Sequence, residues 1–260
     1  MDPWSVLTEH QAPRARAFLA DRERERKHLV VYLSGAHAYG FPSPDSDLDL
    51  KCVHIASTRA LVGLNPPDDP PGRIDIVDGV ELDYGSNELG GVLRGILKGN
   101  GNYIERIFGE LVLGGDLVRV ESARAVLAPV ISRRVGKHYG GFAMSQLRAF
   151  DEKPTAKRAL YVLRTAATGL HLLLTGNVVT DVAKLAEHLP AEISELMAIK
   201  QRGEKQPLEA DHARAWRSRL AAAIDAIDAG WPRSVLPAEP PPEAIAAVDE
   251  WLRDVRQQSW

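Results

Sequence analysis

Apolar and polar positions follow helical spacing in some parts of the chain and strand-like runs in others. The spacing predicts a helix within residues 1–28, with Val6, Leu7, Phe18 and Leu19 facing inward. An apolar run over 29–33 predicts a buried strand that stops at a short helical turn and a Gly/Pro-rich loop. A second strand is expected over 47–55. Since side chains alternate faces along a strand, Asp47 and Asp49 should project to the same side.

A hairpin and three further elements are predicted before residue 121. Two β-prone runs, 73–77 and 80–84, flank Asp78-Gly79 and indicate a hairpin. A helix with Ser86 as its N-cap is expected to run to Lys98. The remaining expectations are a short helix at 58–64, a loop at 65–72, a helical turn at 103–108 and a last strand at 111–120.

The second half of the chain has helical spacing almost throughout. Helices are predicted at 123–131, 133–150, 154–175, 179–188, 191–200 and 208–229. The helix at 154–175 should begin near Pro154 and end at Gly176. A polar linker is expected at 203–207 and a Pro-rich hinge at 238–243. The final helix, 244–258, is expected to pack on the other helices of this half.

Composition and charge exclude several classes of protein. The chain has 260 residues, a net charge of −3 and one cysteine, so neither a disulfide framework nor a globally basic nucleic-acid surface is expected. No apolar run approaches the roughly 20 residues that span a bilayer. No Cys/His cluster with the usual spacing of a zinc site is found in the sequence. These properties predict a cytoplasmic protein without a membrane partner.

The stretch 34–51 places phosphate-binding and metal-binding groups together. A Gly-led turn after a buried strand offers backbone N–H groups to phosphate oxygens. Asp47 and Asp49 offer the hard oxygen ligands that magnesium prefers. Such an arrangement suits transfer of a nucleotidyl group, because divalent ions neutralise the triphosphate and lower the pKa of an attacking hydroxyl. A solvent-facing edge strand is the alternative explanation of the two aspartates.

The same stretch resembles the signature of the DNA polymerase beta nucleotidyltransferase superfamily, a Gly-Ser turn followed by an Asp-x-Asp strand. Ser-Gly-x-His-Ala-Tyr-Gly, Pro-x-Ser-Asp-x-Asp and, at 99–105, Gly-Asn-x-Asn-x-x-Glu are most similar to the bacterial RNA-repair-associated branch. One departure is Ala36, where the family usually has Ser. The resemblance covers at least residues 30–110. It implies that nucleotide is bound by the turn and the residues around it: Ser34, Gly35, Ala36, Tyr39 and Ser46.

The resemblance also implies a third carboxylate on the strand after the Asp-x-Asp strand. Asp83 is the first choice, because Val-Glu-Leu-Asp-Tyr before a helix is similar to the family at this place. Glu81 is the reserve candidate and Asp75 the third. A charged outer face of the hairpin is the structural alternative. Three acids would hold two Mg²⁺ ions, with Mn²⁺ as a substitute, and the third acid would accept the proton of the acceptor hydroxyl.

One stripe of the 154–175 helix is a candidate wall of the cleft. Residues 133–164 contain eight Lys or Arg and two acids, a balance of +6 in an acidic chain. The superfamily commonly closes its cleft with a helical domain, and Lys-x-x-x-Tyr-x-x-Arg in such a helix is similar to its pattern. Lys157 and Arg164 are therefore expected to contact phosphates, with Tyr161 beside the nucleotide. A solvated helix face is the competing interpretation.

These expectations combine into one hypothesis. The fold class is α/β (α+β), with a polymerase-beta-like catalytic domain and a small mixed sheet over 1–120 and an all-α domain over 121–260. Asp47, Asp49 and Asp83 would catalyse transfer of a nucleoside monophosphate, AMP from ATP by default, with release of pyrophosphate. The acceptor favoured by the resemblance is an RNA end or tRNA, with a protein or small-molecule hydroxyl as the alternative. The rival hypothesis is a catalytically silent nucleotide-binding module, which Ala36 favours.

Overall fold

Five strands form one mixed sheet in the spatial order β3-β4-β2-β1-β5. The computed structural model describes residues 2–203 and 206–260. Strands β2 and β4 are parallel, and the other neighbouring pairs are antiparallel. The strands are β1 His28–Leu33, β2 Leu48–His54, β3 Arg73–Val77, β4 Val80–Glu88 and β5 Val112–Gly115.

Helices account for most of the rest of the described chain. Those near the sheet are α1 Gln11–Glu25, α2 Gly35–Ala38, α3 Thr58–Leu61, α4 Leu89–Leu97, α5 Gly101–Phe108 and α6 Leu117–Leu127. Those beyond are α7 Arg134–Glu152, α8 Ala156–Thr175, α9 Ile193–Gln201, α10 Ala210–Gly230 and α11 Pro242–Gln257. Short 3₁₀ helices lie at Pro3–Val6, Ala128–Val130, Val182–His188 and Trp231–Arg233. The predicted mixed α/β class is confirmed.

Each face of the sheet packs on its own apolar core. On one face, Phe18 and Leu19 of α1 cover Leu48 and Leu50 of β2. The other face carries a larger core that runs from β1 through α4 and α5 into α7, α8 and α10. Asp49 and Lys51 alternate with Leu48 and Leu50 along β2, so they lie on this second face. The site residues of β2 therefore face the helices.

Helix α8 is the central element of the helical part. It packs between α7 and α10, and most of its residues are buried. The Thr155 hydroxyl accepts a hydrogen bond from the backbone N–H of Arg158, and Gly176 ends the helix with φ +75°. The predicted stop at Gly176 is confirmed. The larger core crosses residue 120 without interruption, and the division into two domains at that point stays a prediction.

Two predicted elements differ from the structure around the sheet. Ser86 is not an N-cap: β4 continues to Glu88, and the Glu88 carboxylate caps α4 by accepting from the N–H of Gly90. Ser86 is instead paired with Cys52 in the parallel ladder, and its hydroxyl contacts His54 Nδ1 at 2.9 Å. The strand expected at 111–120 ends at Gly115, because Asp116 caps α6 through the N–H of Arg119.

The final helix packs partly on the helical half, as expected, and partly on the first half of the chain. Helix α11 lies against α6 and the 3₁₀ helix Ala128–Val130, which belong mostly to the helical half, and also against α4. Arg256 of α11 forms an ion pair with Glu88 at 2.5 Å, and Thr58 donates its hydroxyl to the Arg256 carbonyl at 2.6 Å. The C-terminal helix thus returns to the sheet and covers the side of α4.

Two smaller expectations and the burial of the single cysteine complete the comparison of sequence with fold. The predicted linker at 203–207 includes residues 204 and 205, which lie outside the described residues, as does residue 1 of the predicted N-terminal helix. Within the described part of the chain, no helix combines the length and apolar character needed to cross a membrane. Burial raises the pKa of Cys52 to about 12, which fits an inert core thiol.

Candidate active site

The Gly-led turn approaches the second strand so closely that only glycine fits at its start. Gly35 has φ +66°, and a Cβ atom there would lie 1.8 Å from Asp49 Oδ2. The N–H of Ser34 donates to the Asp49 carbonyl at 2.8 Å, which fixes the turn on β2. The turn and the Asp49 carboxylate therefore meet at one wall of the cleft.

The parallel ladder places a second carboxylate beside Asp49. Asp49 of β2 is in register with Asp83 of β4, and paired residues point to the same face. Lys51 Nζ lies 2.7 Å from Asp83 Oδ1 and 3.8 Å from Asp49 Oδ1. Asp47 directly precedes β2, and its charge acts on the titration of Asp49. The structure thus brings together all three acids that the sequence singles out.

The register also ranks the alternatives for the third acid. Glu81 lies two residues before Asp83 on the same face of β4, and it is exposed. Asp75 of β3 is paired with Leu82, so it lies on the opposite face, where Arg73 binds it at 2.5 Å. Asp83 is the candidate that sits directly opposite Asp49.

Asp49 is held in an unfavourable electrostatic environment. Burial and, next, the charge of Asp47 raise its pKa from 3.8 to about 7. Lys51 acts in the opposite direction and offsets only part of the shift. A buried carboxylate beside a second one is neutralised by a cation or a proton, and this requirement is typical of metal sites and catalytic acids.

A cleft opens between the turn, Asp49 of β2 and helices α5 and α8. It encloses about 210 Å³. Its walls are formed by Ser34, Gly35, Tyr39, Asp49, Lys51, Asn102, Glu105, Arg106 and Tyr161. Most of these side chains are polar or charged, which suits a ligand that carries several oxygens and a ring better than an apolar ligand.

Aromatic side chains close one side of the cleft. The Tyr161 ring packs edge-on against Tyr39 at 5.7 Å and against Phe41 at 5.9 Å. Lys157 lies one turn earlier on α8, with Nζ 5.8 Å from the centre of the Tyr161 ring, and its charge reaches Asp49. The predicted stripe of α8 thus faces the cleft at Lys157 and Tyr161.

Arg164 lies below the cleft floor rather than inside the cleft. It is 1% exposed, and its guanidinium donates to Glu105 Oε1 at 2.7 Å. The same group stacks over the Tyr39 ring at 3.7 Å, and the Tyr139 hydroxyl donates to Glu105 at 3.0 Å. Burial would lower the pKa of Arg164, but Glu105 and the tyrosines raise it above its ordinary value. This geometry does not support a phosphate contact by Arg164; it supports positioning of Tyr39 and Glu105.

Three other predicted nucleotide-binding residues have their side chains engaged. The Ser34 hydroxyl contacts the Tyr39 hydroxyl at 3.2 Å, at the rim of the cleft. The Ser46 hydroxyl is buried between Ser43 and Lys200 Nζ, away from the cleft lining. The Ala36 methyl is packed in the larger core. Of these three, only Ser34 has a side chain that faces the cleft.

Two functional candidates escaped the sequence interpretation. Lys51 lies two residues after Asp49, so strand periodicity alone could have placed it on the same face. Its ammonium lies near both Asp49 and Asp83. Arg106 directly follows Glu105 and reaches the cleft, where its guanidinium donates to the Cys52 carbonyl at 3.3 Å. Burial lowers the pKa of Arg106. Lys51 is a positive charge beside Asp49 and Asp83, and Arg106 is a second positive charge in the wall of the same cleft.

A larger cavity, of about 600 Å³, lies on the other face of the sheet. It is bounded by Trp4, α1 and the β1–β5 edge. None of the three acids borders it, so its size does not make it the site of the chemistry.

A glycine turn beside paired carboxylates on neighbouring strands, with a third carboxylate directly before one of these strands, in a mixed α/β fold, is nucleotidyltransferase-like. The chain belongs to the RNA repair pathway DNA polymerase beta family, RlaP, whose model matches residues 12–254. This match confirms the resemblance found in the sequence.

Individual proteins that are similar to this chain include one relative found by sequence and one solved structure. The uncharacterized protein MJ0002 of Methanocaldococcus jannaschii is 28% identical over 155 residues, 59% of this chain and 63% of that protein. The chain thus matches less than two thirds of the length of this relative. A crystal structure of a nucleotidyltransferase-like protein from Exiguobacterium sibiricum covers 94% of this chain and 78% of that one, at 8% identity and a TM-score of 0.33. A TM-score this low carries no argument.

Proposed function

We propose that the protein transfers a nucleoside monophosphate from a nucleoside triphosphate to an acceptor, with release of pyrophosphate. The observation that carries the proposal is the pairing of Asp49 with Asp83 directly beside the Gly35 turn. ATP is the favoured donor, as in most non-templated members of the superfamily. An RNA end is the favoured acceptor, because the name of the family refers to RNA repair.

The donor atoms fit divalent magnesium. The set is three carboxylates, one of them with its pKa raised by burial and by a neighbouring acid, so the site favours a bound cation. Asp47 and Asp49 would hold the ions, and Asp83 would complete the site. When bound, Mg²⁺ neutralises the triphosphate and makes the acceptor hydroxyl more acidic.

The residues of the chain supply orientation and proton transfer. The Gly35 turn, Lys51 and Arg106 lie where they can bind phosphate oxygens, and Tyr161 lies where it can pack on the nucleoside. The acceptor oxygen forms a bond to the α-phosphorus while the bond to the β-phosphate oxygen breaks. Pyrophosphate leaves with that electron pair, and the acceptor proton passes to the Asp83 carboxylate.

Lys51 bears on how many ions the site holds. Its ammonium lies 2.7 Å from Asp83 Oδ1 and 3.8 Å from Asp49 Oδ1, so it already balances part of the negative charge that bound ions would balance. Two Mg²⁺ ions held by the three acids would compete with this ammonium for the carboxylates. If it stays in place, one ion together with Lys51 would balance the acids.

Pyrophosphate release tests the proposal. Wild-type protein is incubated with each of the four NTPs, Mg²⁺ and three acceptor sets: RNA with free ends, tRNA and protein extract. We expect release that falls by at least about 100-fold in Asp49→Asn and Asp83→Asn, since groups acting on the reacting atoms contribute about 10²- to 10⁴-fold.

Asp75→Asn is the matched control, because this acid lies on the neighbouring strand but on the opposite face. It should retain wild-type release. Tight nucleotide binding without release from any NTP and acceptor would contradict the proposal and support the silent module. Equal activity in the Asp83→Asn and Asp75→Asn proteins would remove Asp83 from the mechanism.

A further inference from the structure

A cluster of three potential ligands lies on the helical part, apart from the cleft. It joins His171 of α8 to Glu187 and His188 at the end of the 3₁₀ helix Val182–His188. His171 Nδ1 lies 3.2 Å from His188 Nε2. Glu187 Oε1 lies 3.7 Å from the first nitrogen and 3.4 Å from the second. Three potential ligand atoms from two elements thus form a nearly equilateral triangle.

The dimensions of this triangle match one face of a metal coordination tetrahedron. A circle through three atoms at these separations has a radius of about 2.0 Å, so an ion close to its centre would be about 2.0–2.1 Å from each atom. Zn–N distances to histidine are about 2.0–2.1 Å, and Zn–O distances to carboxylate are about 2.0–2.2 Å. Little rearrangement is needed for all three atoms to bind one ion.

We propose that His171, Glu187 and His188 form a zinc site. Two imidazole nitrogens and one carboxylate oxygen suit Zn²⁺ and disfavour Mg²⁺, which takes oxygen ligands in octahedral geometry. A fourth position faces solvent, since Glu187 is 68% exposed while the side chains of His171 and His188 are 13% and 11% exposed. A water molecule would complete the tetrahedron there. The site is independent of the nucleotidyl transfer proposed above.

The location of the site indicates what the ion would stabilise. The 3₁₀ helix begins beside the signature turn, where the N–H of Val182 donates to the Tyr39 carbonyl at 3.1 Å. The Thr180 hydroxyl donates to the Ala38 carbonyl at 3.0 Å. The other end of this helix carries Glu187 and His188. An ion bound to His171, Glu187 and His188 would therefore fix to α8 the segment that supports the Gly35 turn.

A simple hydrogen bond between the two imidazoles is the competing explanation of the 3.2 Å contact. One ring would donate, the other would accept, and Glu187 would act as a neighbouring anion. This arrangement needs no metal and predicts no selective gain in stability with Zn²⁺. The two explanations therefore differ in metal stoichiometry and in spectroscopy.

Zinc and cobalt titration of tag-free, chelator-treated full-length protein decides between them. Excess Mg²⁺ is present throughout, so that the acidic cleft does not compete for the added ion. We expect one Zn²⁺ per chain, a raised melting temperature, and the visible absorption of tetrahedral Co²⁺ when Co²⁺ replaces zinc. His188→Ala and Glu187→Gln should weaken Zn²⁺ binding by at least about 10-fold, since even outer-shell changes cost about 10- to 100-fold.

His212→Gln is the matched control. His212 is also paired with a glutamate, Glu195, at 3.4 Å, but among the described residues the two do not belong to a group of three potential ligands. It should bind Zn²⁺ like the wild type. Glu187 is exposed, so Glu187→Gln tests the site even if a histidine variant folds poorly. Absence of stoichiometric Zn²⁺ in the wild type, or equal loss in His212→Gln, would overturn the proposal.

Discussion

At the scale of single residues, the buried charge of Asp49 destabilises the folded chain, and a bound cation would offset this destabilisation. Burial, chiefly, raises the pKa of Asp49 from its ordinary value of 3.8 to about 7 in the folded chain. Between these pH values the unfolded chain loses a proton that the folded chain retains. Stability is therefore highest below about pH 4 with respect to this group and falls as the pH rises to about 7.

Asp49→Asn is predicted to stabilise the metal-free protein at neutral and alkaline pH. The amide removes the cost of burying the charge, while Lys51 keeps Asp83 as a partner at 2.7 Å. We expect a melting temperature several degrees higher than wild type at pH 8 in chelator, with a smaller difference at pH 5; 1 kcal/mol corresponds to about 2–4 °C at this chain size. Thermal unfolding followed by circular dichroism measures the difference.

The control for this prediction is Asp75→Asn, because Asp75 lies on the opposite face of the sheet from Asp49, and it should not reproduce the gain in stability. Added Mg²⁺ should favour the wild type over Asp49→Asn. If Asp49→Asn is less stable than wild type at pH 8 in chelator, the charged Asp49 carboxylate does not destabilise the folded protein.

At the scale of elements, a buried ion pair joins α5 to α8 beneath the cleft. Glu105 and Arg164 are 2% and 1% exposed, and the Arg164 guanidinium stacks over the Tyr39 ring. Removal of one partner leaves an uncompensated buried charge, at a cost of about 3–5 kcal/mol. The pair and the Tyr39 ring stacked on it therefore hold the Gly35 turn, α5 and α8 together.

Arg164→Met is predicted to destabilise the protein strongly, and adding Glu105→Gln should recover part of the loss. The single variant leaves Glu105 charged and buried, whereas the double variant removes both charges. Urea unfolding of the wild type, both single variants and the double variant gives the coupling energy. Additive losses in the double variant would contradict a direct pair.

The sequence predicted the elements better than the contacts between them. The Asp-x-Asp strand, the glycine turn and the capped end of α8 follow from local spacing and backbone preference. Ser86 is wrongly predicted as an N-cap because Gly-Ser before an apolar stripe is also typical of a helix start, and the parallel pairing with Cys52 cannot be deduced from local sequence. The contacts of Lys51 with Asp83 and of His171 with His188 depend on tertiary structure. Helical spacing predicts Arg164 on the cleft-facing stripe, but spacing defines only the face of a helix and not how deeply a residue is buried, and Arg164 is buried.

At the scale of the whole molecule, the chain closes on itself through α11. Val248 and Val255 are buried against α4 and α6, and Arg256 forms its ion pair with Glu88 at the start of α4. The backbone N–H of Thr58 also donates to the Ser259 carbonyl at 2.9 Å. The C-terminal residues thus support the sheet that carries the acids.

Deletion of residues 242–260 is predicted to destabilise the sheet and not only to remove a helix. The deletion exposes the apolar surface of α4 and α6 that α11 covers. We expect a lower urea midpoint and binding of a hydrophobic dye. Arg253→Ala is the matched control, because the ion pairs that this α11 residue forms with described residues, Asp249 and Glu250, lie within its own helix. Wild-type stability in the deletion variant would show that α11 does not stabilise the sheet.

The central claim is that the nucleotide and its metal bind between the Gly35 turn and the acids. A crystal structure with Mn²⁺ and a non-hydrolysable ATP analogue, using the anomalous signal of manganese, tests it most directly. We predict a manganese peak within about 2.0–2.4 Å of oxygens of Asp47 and Asp49, with the triphosphate against Gly35. Nucleotide in the cavity between α1 and β5, or manganese away from all three acids, would contradict the account.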